Sequence, residues 1–384
     1  MITKIRDNIQ GLSHPVYVTS PLLPSLRDLA GYLKAIWKSK WVTNHGTFHG
    51  ELETKLRILL DAGGISLFNN GAIALLAALR ALDLPVGSEV ITTPFTFPAT
   101  PHCITWNRLK PVFCDIHPES MTLDPKSIEK AVSPNTSAIL GVHVYGIPCD
   151  VVKIQQIADR HNLKILYDAA HAFTTEVSGK PISHFGHISM FSFHATKLYN
   201  TIEGGCLAYS DPCYKNKIYY LRNFGIKNED EVVDVGLNGK MNEIQAAIGL
   251  LNLNLFQKEK EKRLRIRSIY DAELDQIEGI TIVKMPEGVT DSLQYYVIRI
   301  NERLFGCSRN ELYDRLKQFN VYSRKYFYPL CTEYEPYKDL PSSRPEYLPN
   351  ANRIKNEVLC LPFYGDLGEK TARQIVKIIK AIRN

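Results

Sequence analysis

The 384-residue sequence is poor in the features that send a chain into a membrane, out of the cell or onto nucleic acid. No run approaches the roughly 18 apolar residues that a membrane-spanning helix needs. The opening MITKIRDNIQ has no apolar core of signal-peptide length. The charge excess is small, Lys+Arg 46 against Asp+Glu 40 for a net +6, and scattered, with no basic arm and no Arg-rich helix. That balance gives no reason to expect a nucleic-acid or membrane partner and leans weakly toward a small acidic ligand. Eight cysteines are present, but they include no C-x-x-C pair and no ligand-like spacing with histidine. Several lie inside apolar runs, where a thiol behaves as a small hydrophobe, so reduced cysteines, no metal site and a cytoplasmic compartment are expected. Internal repeats and low-complexity segments are also missing.

What is present is an ordinary globular composition, 45% hydrophobic and 22% charged, at a length that suits two domains. Residues 1–20 are polar with little period and read as an N-terminal arm or a contribution to the second domain. In the next stretch Leu26, Leu29, Leu33, Ile36 and Trp37 fall at helical spacing, followed by an irregular N-H-G turn at Asn44–Gly46. From Gly64 strands and helices alternate. ISLF (65–68), EVITT (89–93), PVFCDI (111–116), SAILGVHVYG (137–146), KILY (164–167), ISMFSF (188–193) and GCLAYS (205–210) read as strands. Near-continuous apolar strands with crossovers predict an α/β, mainly parallel sheet covered on both faces.

The alternation stops after Ser210. Residues 241–274 read as one long helix or a bent pair, whose charged half leads into a smaller C-terminal α+β domain. Strands are expected there near Leu293–Ile300 and Tyr322–Tyr328, with helices at Arg309–Gln318 and Glu369–Ile382. The expected division is a large domain over 1–255 and a small one over 256–384.

The stretch Ile165–Gly205 carries the sharpest chemistry: one strand delivers Asp168 and His171 at its C-terminal end, the next delivers His194, Thr196 and Lys197. In an open α/β sheet ligands bind at that edge, so an acid and an amine are brought toward one crevice. Lys197 follows a buried strand among small, aromatic and hydroxyl residues, where desolvation frees an amine to form a Schiff base; a plain solvated lysine is the alternative. Asp168 would be held ionised by a protonated ring nitrogen, or else caps a following helix or ligates a metal. His171 and His194 either meet a ligand or are structural, and Ser192 could present a hydroxyl to a phosphate. The buried helix from Gly71 starts directly after a strand and an N-N-G turn, a geometry that cradles phosphate or is merely a βα turn. Phe95 and Phe97 in TTPFTFP either cover a planar ring or belong to the core.

Taken in order, N-G-A at a helix start, TTPFTF, DAAHAF, FSFHATK with EGG, GLNGKMNEIQAAIGL, RKYFYP and LCLPFY resemble the DegT/DnrJ/EryC1/StrS sugar aminotransferases. These are pyridoxal-phosphate enzymes of fold type I, aspartate aminotransferase-like. The resemblance covers nearly the whole chain from about Pro21, and VTSPLLPSLRDL with SKWVTNHGTFHGELE resembles the branch that forms dTDP-4-amino-4,6-dideoxyglucose (viosamine).

The resemblance implies roles. Lys197 matches the lysine that holds the cofactor and shuttles the proton, Asp168 the carboxylate on the ring nitrogen, and His171 the residue at the ring oxygen or face. Phe97 matches the stacking aromatic, Gly71, Ala72 and Ser192 the phosphate site, and Asn238 a residue reaching the neighbouring subunit's phosphate, so a homodimer with shared sites is implied. Thr43, Asn44, His194, Arg324 and Tyr326 are candidates for substrate contacts. The implied reaction moves an amino group from L-glutamate, through pyridoxamine phosphate, to dTDP-4-keto-6-deoxyglucose or another nucleotide-linked keto-sugar. Amination at C3 and a non-catalytic sensor are the alternatives, while a dehydratase of the same fold carries histidine where this chain has Lys197. Two departures stand out: Ala72 where the family usually has Thr, and Pro98 where Val is common.

Overall fold

The computed structural model describes residues 11–383, so the first ten residues of the expected arm lie outside the described chain. Seven strands form the central sheet: β1 (Gly64–Phe68), β2 (Glu89–Thr92), β3 (Lys110–Phe113), β4 (Thr136–Val142), β5 (Lys164–Asp168), β6 (Ile188–Ser192) and β7 (Gly205–Tyr209). Their spatial order is β1-β7-β6-β5-β4-β2-β3. β7 runs antiparallel to both its neighbours, and the other contacts are parallel. The sheet is therefore mainly parallel, and β1 to β6 all end on one edge.

Burial of both faces explains why the strands read as unbroken apolar runs. Leu67, Ile91, Ile139, Ile165 and Phe191 pack into one layer, and Val90, Leu140, Leu166, Met190 and Leu207 into the other. The helices of the first half are α1 (Leu26–Ser39), α2 (Thr47–Leu59), α3 (Gly71–Ala81), α4 (Ala99–Trp106), α5 (Pro125–Ala131), α6 (Val151–His161) and α7 (Cys213–Leu221). α2 is an element that the sequence reading did not place; it buries Leu52 and Leu56 through a face only two leucines deep. The N-H-G turn before it is present, with Asn44 and His45 at positive φ.

Residues 243–274 form one helix, α8 (Glu243–Leu274), 32 residues long and opened by a capping box between Asn242 and Gln245. It packs against α1 and α2 and also against the C-terminal helix; the expected division at 255/256 falls inside it. Beyond α8 a three-stranded antiparallel sheet pairs β8 (Ile280–Ile282), β9 (Tyr296–Ile300) and β10 (Val358–Leu361), with β9 central. α9 (Arg309–Lys317) and α10 (Glu369–Arg383) cover it.

Four strand expectations need correction. The run SAILGVHVYG stops being a strand at Val142, with Val144–Gly146 in a 3-10 turn, and PVFCDI stops at Phe113; the other two lie in the C-terminal half. The strand expected at Tyr322–Tyr328 is only Val321–Tyr322, which pairs in parallel with Val16–Tyr17, after which Arg324 makes a single bridge to Cys360. Tyr326 and Phe327 leave the sheet because their rings pack toward Tyr295 and His171. The strand expected from Leu293 begins at Tyr296, because residues 292–294 are bonded elsewhere, to the loops after β5 and β6. The pairing of Val16–Tyr17 and the bond from Leu12 N–H to Phe319 O tie the described part of the arm to the C-terminal half.

Candidate active site

The shared edge of β1, β2, β5 and β6 gathers seven of the singled-out residues. Asp168 ends β5 and lies in register with Met190 of β6, two residues before Ser192. Between β6 and β1 sits β7, whose first residue, Gly205, pairs with both Ser192 and Phe68. A Cβ on Gly205 would lie 2.9 Å from the backbone of Gly71, and one on Gly71 would lie 3.0 Å from Ser192 Cβ. Two glycines thus let the start of α3 sit directly on the sheet edge. Asn70 caps α3 by accepting from Ile73 N–H at 2.8 Å; the Gly71 and Ala72 N–H groups, in the first turn, have no intrahelical acceptor and form an anion-receptive end.

Asp168 is only 6% exposed. No helix follows it, so the helix-cap reading is corrected: Oδ1 accepts from Ala170 N–H at 3.1 Å within a turn. Oδ2 accepts from the Thr100 hydroxyl at 2.9 Å. Burial pushes the Asp168 carboxyl above its ordinary value, while the bonds from Ala170 and Thr100 and the nearby Lys197 pull it back. A buried carboxylate in this position favours a cationic partner. Thr100 lies in the first turn of α4, whose N-cap is Pro98. The departure at Pro98 therefore occupies a helix start, where a missing N–H leaves no bond unmade. Phe97, just before it, is 57% exposed, so the ring-covering alternative has its side chain open and Phe95 belongs to the core.

Lys197 lies in the loop between β6 and β7. The residue is half-buried, and burial lowers the pKa of its ammonium from 10.5 to about 8, against an opposing pull from Asp168. His171 is buried and its pKa is held well below 6.5, by burial first and by Lys197 second. Its Nδ1 accepts from Tyr145 N–H at 3.2 Å, which places the ring proton on Nε2. Tyr145 does this from a positive φ of 59°, and Phe327 lies parallel to the imidazole, centroids 6.0 Å apart.

The substrate candidates are more dispersed. His194 is exposed and bonded to Thr196 Oγ1 at 2.8 Å. Tyr326 approaches the site through Tyr295, whose ring meets His171 at 4.9 Å; Arg324 is exposed two residues away. Thr43 and Asn44 lie in the turn before α2, where Trp41 Nε1 donates to Asn44 O. Asn238 is exposed beside this chain's own N-N-G turn, its carbonyl accepting from Asn69 Nδ2 at 3.4 Å. His45, His49 and Glu53 have ligand atoms within 4.8 Å of one another. Arg222 already donates to His45 Nε2 at 2.8 Å and to Glu53, so a guanidinium supplies the cation of that cluster.

Several residues here escaped the sequence reading: Thr100, Tyr145, Phe327, Ser292 and Gln294. Only Thr100 carried a signal, a hydroxyl inside the apolar TFPAT run; the others come from segments distant in sequence.

Comparison with known proteins agrees with this geometry. The DegT/DnrJ/EryC1/StrS aminotransferase family matches residues 27–380. A dTDP-4-amino-4,6-dideoxy-D-glucose transaminase of Escherichia coli is 44% identical over 363 residues, covering 94% of this chain and 97% of that protein. A protein of the same name from Shigella dysenteriae is 42% identical, covering 97% and 100%. The solved structure of DesI in the presence of its TDP-sugar product superposes with a TM-score of 0.91 at 32% identity, covering 99% of this chain and 96% of that one. Helicobacter pylori PseC, an aminotransferase of pseudoaminic acid biosynthesis, superposes at 0.89 with 26% identity, covering 95% and 98%. With its acid, amine and helix start on one sheet edge and the match running almost from end to end, the chain belongs to the DegT/DnrJ/EryC1/StrS aminotransferase family.

Proposed function

We propose that the protein is a pyridoxal-phosphate aminotransferase that moves the amino group of L-glutamate to dTDP-4-keto-6-deoxy-D-glucose, giving dTDP-4-amino-4,6-dideoxy-D-glucose. The observation that carries the reading is the placement of Asp168 and Lys197 on adjoining strand ends beside the Gly71 helix start. The two transaminases at 44% and 42% identity support the choice of sugar.

The residues present fit the cofactor. Asp168 is a buried carboxylate whose partners, Thr100 and Ala170, leave acceptor capacity for a protonated ring nitrogen. The glycine-lined start of α3 fits a phosphate, with Ser192 beside it, and the open Phe97 ring fits one face of a planar group. When bound, pyridoxal phosphate supplies a carbonyl that exchanges with amines and a ring that withdraws electrons. Lys197, with its lowered pKa, is an amine able to take a proton from one carbon and return it to another. His171 stays neutral and offers Nε2–H to a ring oxygen. Arg324 and Tyr326, with the Thr43–Asn44 turn and His194, are assigned to the sugar nucleotide, whose diphosphate suits a guanidinium.

The reading includes a large unit over 1–255 and a small one over 256–384, a cytoplasmic location, and a homodimer with shared sites. Exposed Phe224, Val232 and Val235 in the segment that carries Asn238 support a partner there. Among the described residues no helix is long and apolar enough to cross a membrane. The test is incubation with pyridoxal phosphate, glutamate and dTDP-4-keto-6-deoxyglucose, with the amine located by NMR. An amine at C4 is expected; an amine at C3, or a protein that takes up no pyridoxal phosphate, overturns the reading.

A further inference from the structure

We propose that Gln294 is a positioning residue for Lys197, holding the lysine loop at the two peptide groups that flank it. Gln294 comes from the C-terminal half of the chain and is 3% exposed. Its Oε1 accepts from Leu198 N–H at 2.9 Å, and its Nε2 donates to Thr196 O at 3.1 Å. One side-chain amide therefore brackets Lys197 on both sides, and the two bonds together set which way round the amide stands.

The loop from Phe193 to Gly204 is closed at its base by Phe193 N–H to Gly204 O at 2.8 Å and Thr201 N–H to Phe193 O at 2.9 Å. Tyr199 anchors its far side, with its ring on Phe173 and its hydroxyl on Gly249 O. Lys197 itself is held locally by its N–H to His194 O at 2.8 Å, a bond within the turn. Gln294 joins that turn to the segment before β9, a part of the chain 96 to 98 residues away.

Gln294 is itself held in place. Leu293 has a φ of 58°, a conformation that non-glycine residues keep only when their surroundings demand it. Its N–H donates to Asp291 Oδ1 at 2.7 Å, and its carbonyl accepts from Arg263 Nη1 at 3.0 Å. Arg263 is buried on α8 and paired with Glu259 at 2.8 Å. The turn at Leu293 lets Ser292 bond His171 O at 2.7 Å while Gln294 bonds the lysine loop. The ion pair of α8 thus sets a segment that grips both loops of the site. Fixing the Cα of a lysine with a long, flexible side chain narrows where its amine can go, and proton transfer is sensitive to such placement.

The role assigned to Lys197 rests on the functional reading above, but the positioning is testable without cofactor. The full chain, freed of cofactor, is labelled with trace acetic anhydride across pH, and Lys197 acetylation is read by mass spectrometry. Asp168 and His171 face this amine and are unchanged by the variants. Wild type is expected to show a midpoint at about 8. Gln294→Met keeps the length of the side chain and loses both bonds; the loop opens to water and the midpoint rises by about one unit. Gln294→Asn, with its amide set back by one methylene, moves it the same way by less and decides the matter if the Met variant does not fold. In the loaded enzyme kcat falls about tenfold with KM within about twofold. A midpoint in the variants equal to that of the wild type overturns the proposal, even where the melting temperature drops, since that pattern marks a merely structural residue. A wild-type protein that takes up no pyridoxal phosphate removes the functional reading and leaves the bracket to be judged on the labelling alone.

Discussion

Thr100 donates its hydroxyl hydrogen to Asp168 Oδ2 across 2.9 Å, and Thr96 stands 2.9 Å behind Thr100. A hydroxyl has one hydrogen, so with Asp168 ionised the direction is forced: Thr96 donates to Thr100, and Thr100 to the carboxylate. Both threonines are buried, so the chain is shielded from water where such bonds are strongest.

Thr100→Val keeps the shape and removes that donor. A hydrogen bond to a charged group contributes about 1.5–3 kcal/mol, so affinity for pyridoxal phosphate is expected to fall roughly 10- to 100-fold, measured by titrating the apoprotein at the visible band. Thr100→Ser should restore most of it. Unchanged affinity in the valine variant would mean that Asp168 needs no such support.

With Lys197 proposed as the amine that takes up pyridoxal phosphate, uptake by the apoprotein follows its free base, whose pKa is lowered from 10.5 to about 8. The uptake rate is expected to rise with pH and level off above about 8, and Lys197→Ala should form no covalent adduct. Between these two pH values the unfolded chain binds more protons than the folded one, so this group's contribution to stability increases with pH across that window. A rate still climbing toward pH 10.5 would show an ordinary solvated lysine.

Ala72 has an exposed side chain in the first turn of α3. Ala72→Thr supplies a hydroxyl at the anion-receptive helix end and is expected to tighten cofactor binding roughly tenfold, by the same charged hydrogen-bond magnitude. Calorimetry on the two apoproteins checks this, and no gain would place the phosphate away from residue 72.

Arg324→Ala is expected to raise KM for the sugar nucleotide about tenfold, the loss of one guanidinium–phosphate contact. The half-reaction with glutamate alone should keep its rate. Unchanged affinity for the sugar nucleotide removes Arg324 from the substrate site.

Arg222, 3% exposed, donates to Leu67 O at 2.8 Å, to His45 and to Glu53. Arg222→Met leaves Glu53 without its counter-ion and is expected to cost about 3 kcal/mol in urea unfolding at neutral pH. Burial already raises the Glu53 pKa above 4.5, and Arg222 opposes that rise. The variant's loss should therefore shrink at acid pH, where Glu53 takes up a proton; a pH-independent loss would assign the cost to packing.

The strands around the site were legible because both faces of the sheet are buried, so each wrote an apolar run into the chain, although buried apolar residues beyond Phe113 and Val142 made two of those runs longer than their strands. The ends of β5 and β6 were legible for the same reason: polar Asp168 and the polar turn with Lys197 interrupt those runs. α2 was not, because its buried face is only His49, Leu52 and Leu56, while its apolar Ile58 and Leu59 are exposed and blur the helical pattern. The segment 322–328 misled, since its aromatic, β-like composition serves packing on Tyr295 and His171 and not strand pairing.

Residue types and their order along the chain were enough to determine a mainly parallel α/β sheet, an acid and an amine at neighbouring strand ends, and the family to which the chain belongs. These are properties of local pattern, and local pattern is carried by residues close in sequence. What only the tertiary structure decided is how the two groups are held: Thr100 from α4 on Asp168, Tyr145 on His171, and Gln294 on either side of Lys197. Hydrogen bonds between residues 26 to 98 positions apart leave no periodic trace in a sequence, because a buried donor and its acceptor need only meet in space.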